Sequence, residues 1–591
     1  MPDVPPRLAR YVPILGWIPT YDRRDLRPDL VAGVVSWGVM VPVAMAYAGL
    51  AGLPPQAGLV TAFAAMAAYA IFGTTRHLKV TASSSVSVMS AAVVGALAVA
   101  GDPRYLELSA MLALLVGLFL LAAGVARLGF MSQFLAKSVV TGFVIGLAIT
   151  IIIGQLPALL GVPSSAGGIL ERLVDLAGYG PSMNVRTLVV GVSALVLILV
   201  LRRVAPRIPG ALIALVGGIV ISAVLDLASY GVAVVGEVET GVPLPSLPSV
   251  GIRDIAFLAT GAVGIVFLAL AESLGAGRSF ASRHGYDLDP DQELVALGAS
   301  NLATGTFGGF VVDASLSQSA TAEAAGARTQ LASLVTSGLV LGTAIVLAPL
   351  FADLPKAVLA AIVITSVLSV VDLGELRRYW AFRRTDLFLA MTALVGVIAT
   401  SALVGMVIAV MLSLAVILYQ ASQPYMARLG KLPGKPTSYG DLSRHPRARE
   451  VPGVLILRPD VPLTFVNSNV AKDQIVEMVR GAKPPPEAVV LDLSATADLD
   501  IATIDMFGEL IAFLRDRGIA LRLAQVRGTV RDRMRRSGLM DAIGEAQVYL
   551  ALVAAVEERG EDAASAEAPE SSPADDGQGP DSDAETASPP R

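Results

Sequence analysis

The sequence predicts an α-helical multi-pass membrane protein, built from two inverted seven-segment repeats (7+7, fourteen transmembrane segments) and followed by a small α/β domain. Three observations predict this fold: the composition, the spacing of charge-free stretches, and one octet that occurs twice. Of the 591 residues, 54% are hydrophobic and 16% are charged, and the mean hydropathy is +0.67. This composition is far from that of a soluble domain and indicates a membrane protein with soluble ends.

Charge-free stretches define the segments, because a spanning helix needs about 20 apolar residues and ionisable groups are costly in lipid. The first series, with two spans in its first stretch, is Leu30–Thr75, Val80–Gly101, Leu108–Ala126, Ser138–Leu170, Thr187–Leu201 and Ile208–Leu225. The second series, with two spans in its last stretch, is Ile255–Ala271, Leu294–Val312, Ala314–Ala322, Thr329–Ala352, Ala357–Val371 and Leu387–Ala427. Each series holds seven spans, which predicts a membrane domain over 29–427 with repeats at about 29–229 and 254–427.

The octet "VTASSSVS" at Val80–Ser87 returns as "VDASLSQS" at Val312–Ser319, an offset of 312 − 80 = 232 positions. Each copy lies at the third segment of its series, as duplication of a seven-segment unit requires. In both copies an extended run leads into a Ser-rich helix start, and serine caps the free amides of a first helical turn. Two such N-termini that face each other near the midplane form a site for a small inorganic anion. Close packing of small residues is the alternative explanation for one octet alone.

Basic residues predict the orientation. They concentrate on the side that carries the N-terminus, which is therefore expected to be cytoplasmic in the plasma membrane. These residues are Arg76, Lys79, Arg127, Lys137, Arg202–Arg207, Arg278, Arg283, Arg328 and Arg377–Arg384. An odd number of spans per repeat inverts the second repeat and returns the C-terminus to the cytoplasm. No cleavable signal peptide is expected, since no short apolar core with a small-residue cleavage site follows the basic N-terminal segment, 1–28.

The chain contains no cysteine, which excludes disulfides, thiolate metal sites and a cysteine nucleophile. His77, His284 and His445 are too scattered to suggest a zinc cluster, so neither a metal nor another cofactor is expected. The net charge of −5 comes from the tail, where residues 560–591 hold nine acids and one base, or −8, and leave +3 elsewhere. The tail from 559 is expected to be disordered, and no nucleic-acid partner is predicted.

From Val451 the pattern becomes that of a soluble α/β domain, over 451–558, after a linker at 428–450. The runs "VPGVLILRP", "PLTFVNS", "AVVLDLSA" and "IALRLAQV" are typical of strands, while "AKDQIVEMVRG" and "TIDMFGELIAFLRDRG" are typical of helices. Two further helices are expected before Glu558.

Four stretches resemble the sulfate permease family (SulP) of inorganic anion transporters. They are "DLVAGVVSWGVMVPVAMAYAGLAGLPPQAGL" from Asp29, "FGTTRHLKV" from Phe72, "GRSFASRHGYDLDPDQELVALGASNLATGTFGGF" from Gly277 and "AGARTQL" from Ala325. The C-terminal domain resembles the STAS module that follows the membrane part in this family. The resemblance implies core and gate domains, a site formed by the third and tenth segments, elevator-type alternating access and a homodimer.

The octets and this resemblance together give six candidate anion-binding residues, which are Ser83, Ser84, Ser85, Ser315, Leu316 and Ser317. Tyr47, in "AMAYAGLAGLPP", is the seventh, because its ring is expected to line the site; a tyrosine packed within a helix is the alternative. The chain also departs from the family pattern. Many relatives have Gly-Pro where this chain has Thr81 and Ala82, and many have Arg where it has Gln318. Without that arginine, the attraction for an anion rests on dipoles, hydroxyl groups or a co-bound cation. This weakens the case for sulfate as the substrate and strengthens the case for bicarbonate or another monovalent anion.

Thr81, Asp313 and Gln318 are expected to flank the site, and three charged residues need an interpretation of their own. Glu272 lies inside the eighth segment, where an acid is expensive unless it titrates, pairs or binds a cation. We expect it to couple anion movement to a co-transported H⁺ or Na⁺; a structural pairing with Arg278 or another base is the alternative. Asp313 is interpreted as a helix N-cap, in preference to a second cation ligand or a loop acid. Arg328 is interpreted as a cytoplasmic anchor, not an anion ligand.

In the soluble domain, Asp500 is followed by Ile501, where stand-alone anti-sigma-factor antagonists carry a phosphorylatable serine. A phospho-switch is therefore not expected, and Thr503 is a weak substitute. Docking to a cytoplasmic protein partner, or support of the dimer, is the preferred role; nucleotide binding stays open, although no P-loop pattern supports it.

Three functions remain at this point. A secondary active anion transporter is preferred, with sulfate or bicarbonate as the class of substrate. An uncoupled channel, or an exchanger of chloride, bicarbonate or dicarboxylates, is the alternative, and an intramembrane Glu272 argues against the channel. A signalling or enzymatic role of the C-terminal domain is disfavoured, because no nucleophile, base or metal constellation is evident.

Overall fold

A computed structural model describes residues 12–130, 136–163, 169–179, 183–205, 209–236, 240–241, 243–368, 371–400, 402–434 and 437–557. The chain divides into two compact units, Met1–Leu414 and Ala415–Arg591. The predicted disordered tail lies outside the described residues, and so do the first eleven residues of the N-terminal segment.

In the described part of the membrane region, fourteen helices correspond in order to the predicted segments, and three shorter helices, Ile14–Trp17, Ile169–Gly178 and Leu373–Phe382, lie outside that series. The first seven are α1 Leu26–Leu50, α2 Pro55–Phe72, α3 Ser84–Val94, α4 Pro103–Val125, α5 Lys137–Leu160, α6 Val185–Val204 and α7 Gly210–Leu225, with strand β1, Val80–Thr81, before α3. The second seven are α8 Ile252–His284, α9 Pro290–Thr306, α10 Leu316–Ala324, α11 Leu331–Gly342, α12 Lys356–Leu368, α13 Arg384–Ala399 and α14 Ala402–Ser422, with strand β2, Asp313–Ala314, before α10. Helix α11 continues as a π-helical turn, Thr343–Leu347, and a 3-10 turn, Ala348–Phe351.

Eight helices within the described residues are long and apolar enough to cross a membrane, which confirms the predicted helical multi-pass fold. The third and tenth segments are short: α3 has 11 residues and α10 has 9, because the residues before each of them are extended. Helix α8 continues past the predicted end at Ala271, so Glu272 lies inside it.

The two octets meet at a short antiparallel ladder. Strand β1 pairs with β2 so that Val80 faces Ala314 and Thr81 faces Asp313. Since 81 + 232 = 313, Thr81 faces its own counterpart in the other repeat. An element that pairs antiparallel with its own copy lies on a local two-fold axis, which is the relation that inverted repeats require.

Two buried side-chain amides satisfy the extended backbone beside the ladder. Asn301 on α9 accepts from the amide of Val312 at 3.0 Å and donates to its carbonyl at 2.9 Å. Gln330 donates to the carbonyls of Thr75 and Leu78 at 2.6 and 2.9 Å. Non-helical backbone at membrane depth needs such internal partners. These two residues therefore stabilise the extended runs that lead into the half-helices.

Close helix packing supports the same region. Gly117 on α4 and Gly298 on α9 face each other, and a Cβ atom added to either would meet the carbonyl oxygen of the other at 2.9 Å. Small residues let two backbones approach closely, which is how helices pack without a hydrophobic driving force in lipid. The contact fixes α9, and with it Asn301.

The second unit contains a six-stranded sheet of order β4-β3-β5-β6-β7-β8. Its strands are β3 Met426–Lys431, β4 Tyr439–Asp441, β5 Val454–Pro459, β6 Ala488–Asp492, β7 Ala520–Ala524 and β8 Val548–Tyr549. Its helices are α15 Ser468–Gly481, α16 Ile501–Arg515, α17 Gly528–Arg536, α18 Leu539–Ile543 and α19 Leu552–Glu557. Strands β5 to β8 run parallel, whereas β3 pairs antiparallel with both β4 and β5.

Two predictions for this unit were wrong. The expected linker 428–450 contains β4 and most of β3, because Met426 and Leu429 are buried within the sheet; α14 accordingly ends at Ser422, before the predicted Ala427. The run "PLTFVNS" forms a turn in place of a strand. The side chain of Asn467 accepts from the Thr464 amide at 2.9 Å and donates to the Pro462 carbonyl at 3.0 Å, which folds the run back on itself.

Candidate anion-binding site

Both half-helices begin with the same capping arrangement. Ser83 accepts a hydrogen bond from the amide of Val86, and Ser315 accepts one from the amide of Gln318, each at 3.4 Å. In each helix the serine four positions after the cap donates back to the carbonyl of the cap. The caps are 315 − 83 = 232 residues apart, so the octet offset is reproduced in three dimensions. The serine caps thus accept from the third backbone amide of each helix, that of Val86 and that of Gln318. The two amides before it in each helix have no hydrogen-bond acceptor within the helix.

The two half-helices border a cavity of about 540 Å³, called the serine cavity below. All seven candidate anion-binding residues and Glu272 line it: Tyr47 from α1, Ser83, Ser84 and Ser85 from the first octet, Ser315, Leu316 and Ser317 from the second, and Glu272 from α8. These residues are up to 317 − 47 = 270 positions apart in the sequence. The cavity presents hydroxyl groups and the N-termini of two helices to the same space, which is an arrangement that suits a small anion.

Glu272 contacts the first half-helix directly. Its carboxylate accepts a hydrogen bond from the hydroxyl of Ser85 at 2.9 Å. Arg278, the base considered as its structural partner, lines the same cavity. The acid therefore touches a residue that is itself a candidate anion ligand.

Asp313 is not a helix cap, and this interpretation was wrong. It lies in β2, and the cap of α10 is Ser315, two residues later. The Asp313 carboxyl is fully buried beside Glu272 and Ser83. Neither of its oxygens accepts a hydrogen bond of normal geometry from the described part of the chain.

Thr81 in β1 and Gln318 in α10 are two departures from the family pattern. Both are 1% exposed. The hydroxyl of Thr81 and the side-chain carbonyl of Gln318 have no hydrogen-bond partner among the described residues. Two polar oxygen atoms that can accept hydrogen bonds are thus buried next to the half-helices.

Arg328 lies outside the serine cavity. Its guanidinium pairs with Asp25 at 2.8 Å and is 60% exposed. Its backbone amide donates to Asp29, which also accepts from the amide and hydroxyl of Thr329. The residue ties the start of α11 to the start of α1, as an anchor does, and takes no part in the cavity lining.

Two groups of charged residues were missed by the sequence analysis. Glu293 on α9 is buried and accepts hydrogen bonds from Tyr69 and from the amides and hydroxyls of Thr74 and Thr75. Lys137 and Glu375 form a 2.8 Å ion pair and line the serine cavity with Arg278 and Asp372. Lys137, Arg278, Asp372 and Glu375 lie near the ends of segments, and only the fold shows that they face the serine cavity. The sequence carries no local signal for this position.

The histidines are less scattered than their sequence positions suggest. The rings of His77 and His284 stack with centroids 3.9 Å apart, and His284 contacts Glu323 at 2.6 Å. The described residues contain no group of three His, Asp or Glu side chains arranged to hold a metal ion.

A second cavity, of about 810 Å³, borders the same helices. Helix α1 contributes Met45 and Ala46 to it, directly before Tyr47 of the serine cavity. Helix α5 contributes Ile145 to the serine cavity and Gln155 to the second one, which places the two about 15 Å apart along that helix. Ala46 and Tyr47, which are adjacent on α1, thus line different cavities.

In the second unit, Asp500 caps α16. Its carboxylate accepts from the amide and the hydroxyl of Thr503, at 2.8 and 2.7 Å, and from the amide of Phe465. Burial raises the pKa of Asp500, but these hydrogen bonds outweigh burial and hold the pKa below its usual value. Thr503 is buried and its hydroxyl is engaged, which argues against phosphorylation at that residue.

Comparisons with known proteins agree with this architecture. The Sulfate permease family model matches residues 26–393, and the STAS domain model matches residues 445–555. A probable sulfate transporter of Mycobacterium tuberculosis is 35% identical over 548 residues, which cover 92% of this chain and 98% of the relative. High affinity sulfate transporter 2 of Stylosanthes hamata is 31% identical over 568 residues, covering 92% of this chain and 85% of the relative.

Solved structures are similar over nearly the whole chain. The murine Solute Carrier 26 family member A9 anion transporter in the inward-facing state superposes with a TM-score of 0.85 at 25% identity, covering 94% of this chain and 95% of that one. The transmembrane domain of the cyanobacterial bicarbonate transporter BicA gives a TM-score of 0.57 at 24% identity, covering 67% of this chain and 98% of that one. The chain belongs to the sulfate permease family.

Proposed function

We propose that this protein is a secondary active transporter of inorganic anions of the sulfate or bicarbonate class, coupled to H⁺ or Na⁺. The observation that carries the proposal is the convergence of seven candidate anion ligands and Glu272 in one cavity between two capped half-helices. Fixed helix dipoles and hydroxyl groups attract an anion at the N-termini of the half-helices, in a cavity that Lys137 and Arg278 also line. The names of the relatives supply the class of substrate.

Glu272 is the coupling group in this proposal. Its contact with Ser85 joins the carboxylate to the anion ligands. An ionised carboxylate repels an anion in the same cavity, and this repulsion is strong where water is scarce. A proton or Na⁺ on Glu272 removes the repulsion, so anion and cation bind together and move together.

Alternating access follows an elevator mechanism in this proposal. The half-helices and α8 form the moving core, and α1 borders both the serine cavity and the second cavity, with Tyr47 in the first and Ala46 in the second. The serine cavity bears Lys137 and Arg278, whose side the distribution of basic residues predicts to be cytoplasmic. The protein is a homodimer of the plasma membrane with both termini in the cytoplasm, and its STAS domain docks a cytoplasmic protein or supports the dimer.

Uptake into proteoliposomes tests the proposal. Purified protein is given labelled sulfate or bicarbonate under an imposed H⁺ or Na⁺ gradient, and the wild type is compared with Glu272→Gln. Asp254→Asn is the matched control, because Asp254 lies on the same helix but pairs with Arg104 outside the serine cavity. We expect one gradient to drive accumulation in the wild type and the control, and Glu272→Gln to accumulate less anion under the same gradient while retaining anion exchange. Anion uptake that is the same with and without either gradient, and the same in the wild type and Glu272→Gln, contradicts coupling and favours a channel or an exchanger.

A further inference from the structure

The buried acids of the membrane part differ sharply in how many hydrogen bonds they accept. Asp29 accepts four, from the amides of Arg328 and Thr329 and from the hydroxyls of Thr329 and Tyr21. Glu293 is similarly surrounded by donors. Such carboxylates are stabilised as anions by the protein itself. Their environment needs no bound cation.

Asp313 has the opposite environment. It is 0% exposed, yet neither of its oxygens accepts a hydrogen bond of normal geometry within the described ranges. A buried, unpaired carboxylate is among the most costly groups that a protein can contain. Its nearest polar groups are Glu272 from α8 and Ser83 from the first octet, both within hydrogen-bonding reach of its carboxyl, and Tyr47 from α1; none of the three supplies a positive charge.

Thr81 supplies a further oxygen at the same place. It faces Asp313 directly across the two-strand ladder, so the two side chains share one face with Cβ atoms about 5 Å apart. Its hydroxyl is buried and also has no partner among the described residues. Glu272 completes the group with a carboxylate that receives the hydrogen bond from Ser85. The atoms offered are therefore all oxygens, which are the ligands that hard cations prefer.

We propose that Asp313 and Glu272, together with Thr81, form a two-carboxylate cation site, and that two monovalent cations accompany each anion. The inference rests on the proposed function and gives its coupling stoichiometry. Around the serine cavity, Lys137 and Arg278 are balanced by Asp372 and Glu375, so the charge left beside the half-helices is that of Asp313 and Glu272. One cation leaves a negative charge next to the anion, whereas two neutralise the pair. The cations are protons, Na⁺ or one of each.

The test measures the balance point of transport in proteoliposomes containing the full chain. The membrane potential is held at zero, and the ratio of labelled sulfate that exactly opposes a tenfold cation gradient is determined. Two coupled cations of one kind balance a sulfate ratio of about a hundredfold, and one balances about tenfold. Imposing the H⁺ and Na⁺ gradients separately and then together identifies the cations. If one H⁺ and one Na⁺ are coupled, each gradient alone balances a sulfate ratio of about tenfold, and both together balance about a hundredfold.

We expect about a hundredfold for the wild type and about tenfold for Asp313→Asn. A tenfold ratio in the wild type, or an unchanged ratio in Asp313→Asn, overturns the inference. If Asp313→Asn does not fold, Asp313→Ser replaces it. The balancing sulfate ratio of the wild type tests the two-cation stoichiometry whether or not either variant folds. If sulfate is not transported at all, the proposed function fails for that anion. Proton and ²²Na⁺ binding to the purified full chain in detergent then decides the inference, since the wild type must bind one cation more than the variant.

Discussion

The hydroxyl of Ser85 donates a 2.9 Å hydrogen bond to the carboxylate of Glu272 and so joins half-helix α3 to helix α8. Ser85 is a candidate anion ligand and Glu272 is the proposed coupling acid. One hydrogen bond therefore connects the two sites whose occupancy a coupled transporter must link. The contact predicts how a Ser85 variant should behave.

Replacing Ser85 with Ala should raise the affinity for the coupling cation and weaken the affinity for the anion. The hydrogen bond stabilises the ionised carboxylate, and bonds to charged groups contribute about 1.5–3 kcal/mol, or about tenfold or more in an equilibrium constant. Initial uptake rates at varied cation and anion concentrations measure both effects. Ser87→Ala is the control, since Ser87 bonds to the Ser83 carbonyl. Equal behaviour of the two variants would show that the Ser85 contact plays no part in coupling.

Replacing Gln318 with Arg should make anion uptake less dependent on the cation. Gln318 is buried behind the half-helices, and a fixed positive charge there offsets the carboxylates in place of a bound cation. We expect the uptake that remains without a cation gradient to rise, more for sulfate than for bicarbonate. Gln318→Met controls for the change of side chain without a charge. An increase of similar size in the Met variant would assign the effect to packing.

Replacing Glu293 with Gln should lower stability without altering cation dependence. The carboxylate accepts hydrogen bonds from Tyr69, Thr74 and Thr75, and the Gln amide group repels some of these donors. Breaking such a buried charged network costs about 3 kcal/mol. The thermal midpoint in detergent should fall, whereas Glu107→Gln, at an exposed position on α4, should leave it unchanged. A changed cation dependence in folded Glu293→Gln protein would contradict a purely structural role.

Protonation of Asp500 at low pH should lower the stability of the STAS domain. Its pKa is lower in the folded state, because hydrogen bonds from Thr503 and Phe465 outweigh the effect of burial. A lowered folded-state pKa contributes stability that is complete above the unfolded value of about 3.9 and is lost as the pH falls through the folded value. Denaturation of the full chain, followed by a probe in this domain, should show a shallower acid dependence for Asp500→Asn than for the wild type. If the stability of Asp500→Asn and of the wild type falls equally as the pH is lowered, other carboxylates determine the acid dependence.

The sequence predicts the membrane fold and the half-helices well, because their signals are local. Apolar length defines a span, and the serines of each octet both start a helix and remain free to line a cavity. The role of Asp313 could not be predicted in this way. A carboxylate three residues before a helix resembles a cap, and only the pairing of Thr81 with Asp313 reveals that the backbone there is a strand.

Contacts between distant segments explain the other differences. His77 and His284 stack although 207 positions separate them, since 284 − 77 = 207. Most of strand β3 falls within the predicted linker, and the strands that pair with it, β4 and β5, lie later in the chain. In "PLTFVNS" the apolar alternation suggested a strand, but Phe465 is 73% exposed and Asn467 turns the chain.

Anion protection of a single cysteine tests the location of the site most directly. The chain has no native cysteine, so Leu316→Cys, at a residue that is 48% exposed and lines the serine cavity, gives a thiol reagent one target. Gln155→Cys, in the second cavity, is the matched control. We predict that saturating sulfate or bicarbonate, whichever is transported, slows modification at Leu316→Cys in detergent and leaves Gln155→Cys unaffected. Undiminished modification at Leu316→Cys, in protein that still transports the anion, would contradict an anion held between the two half-helices.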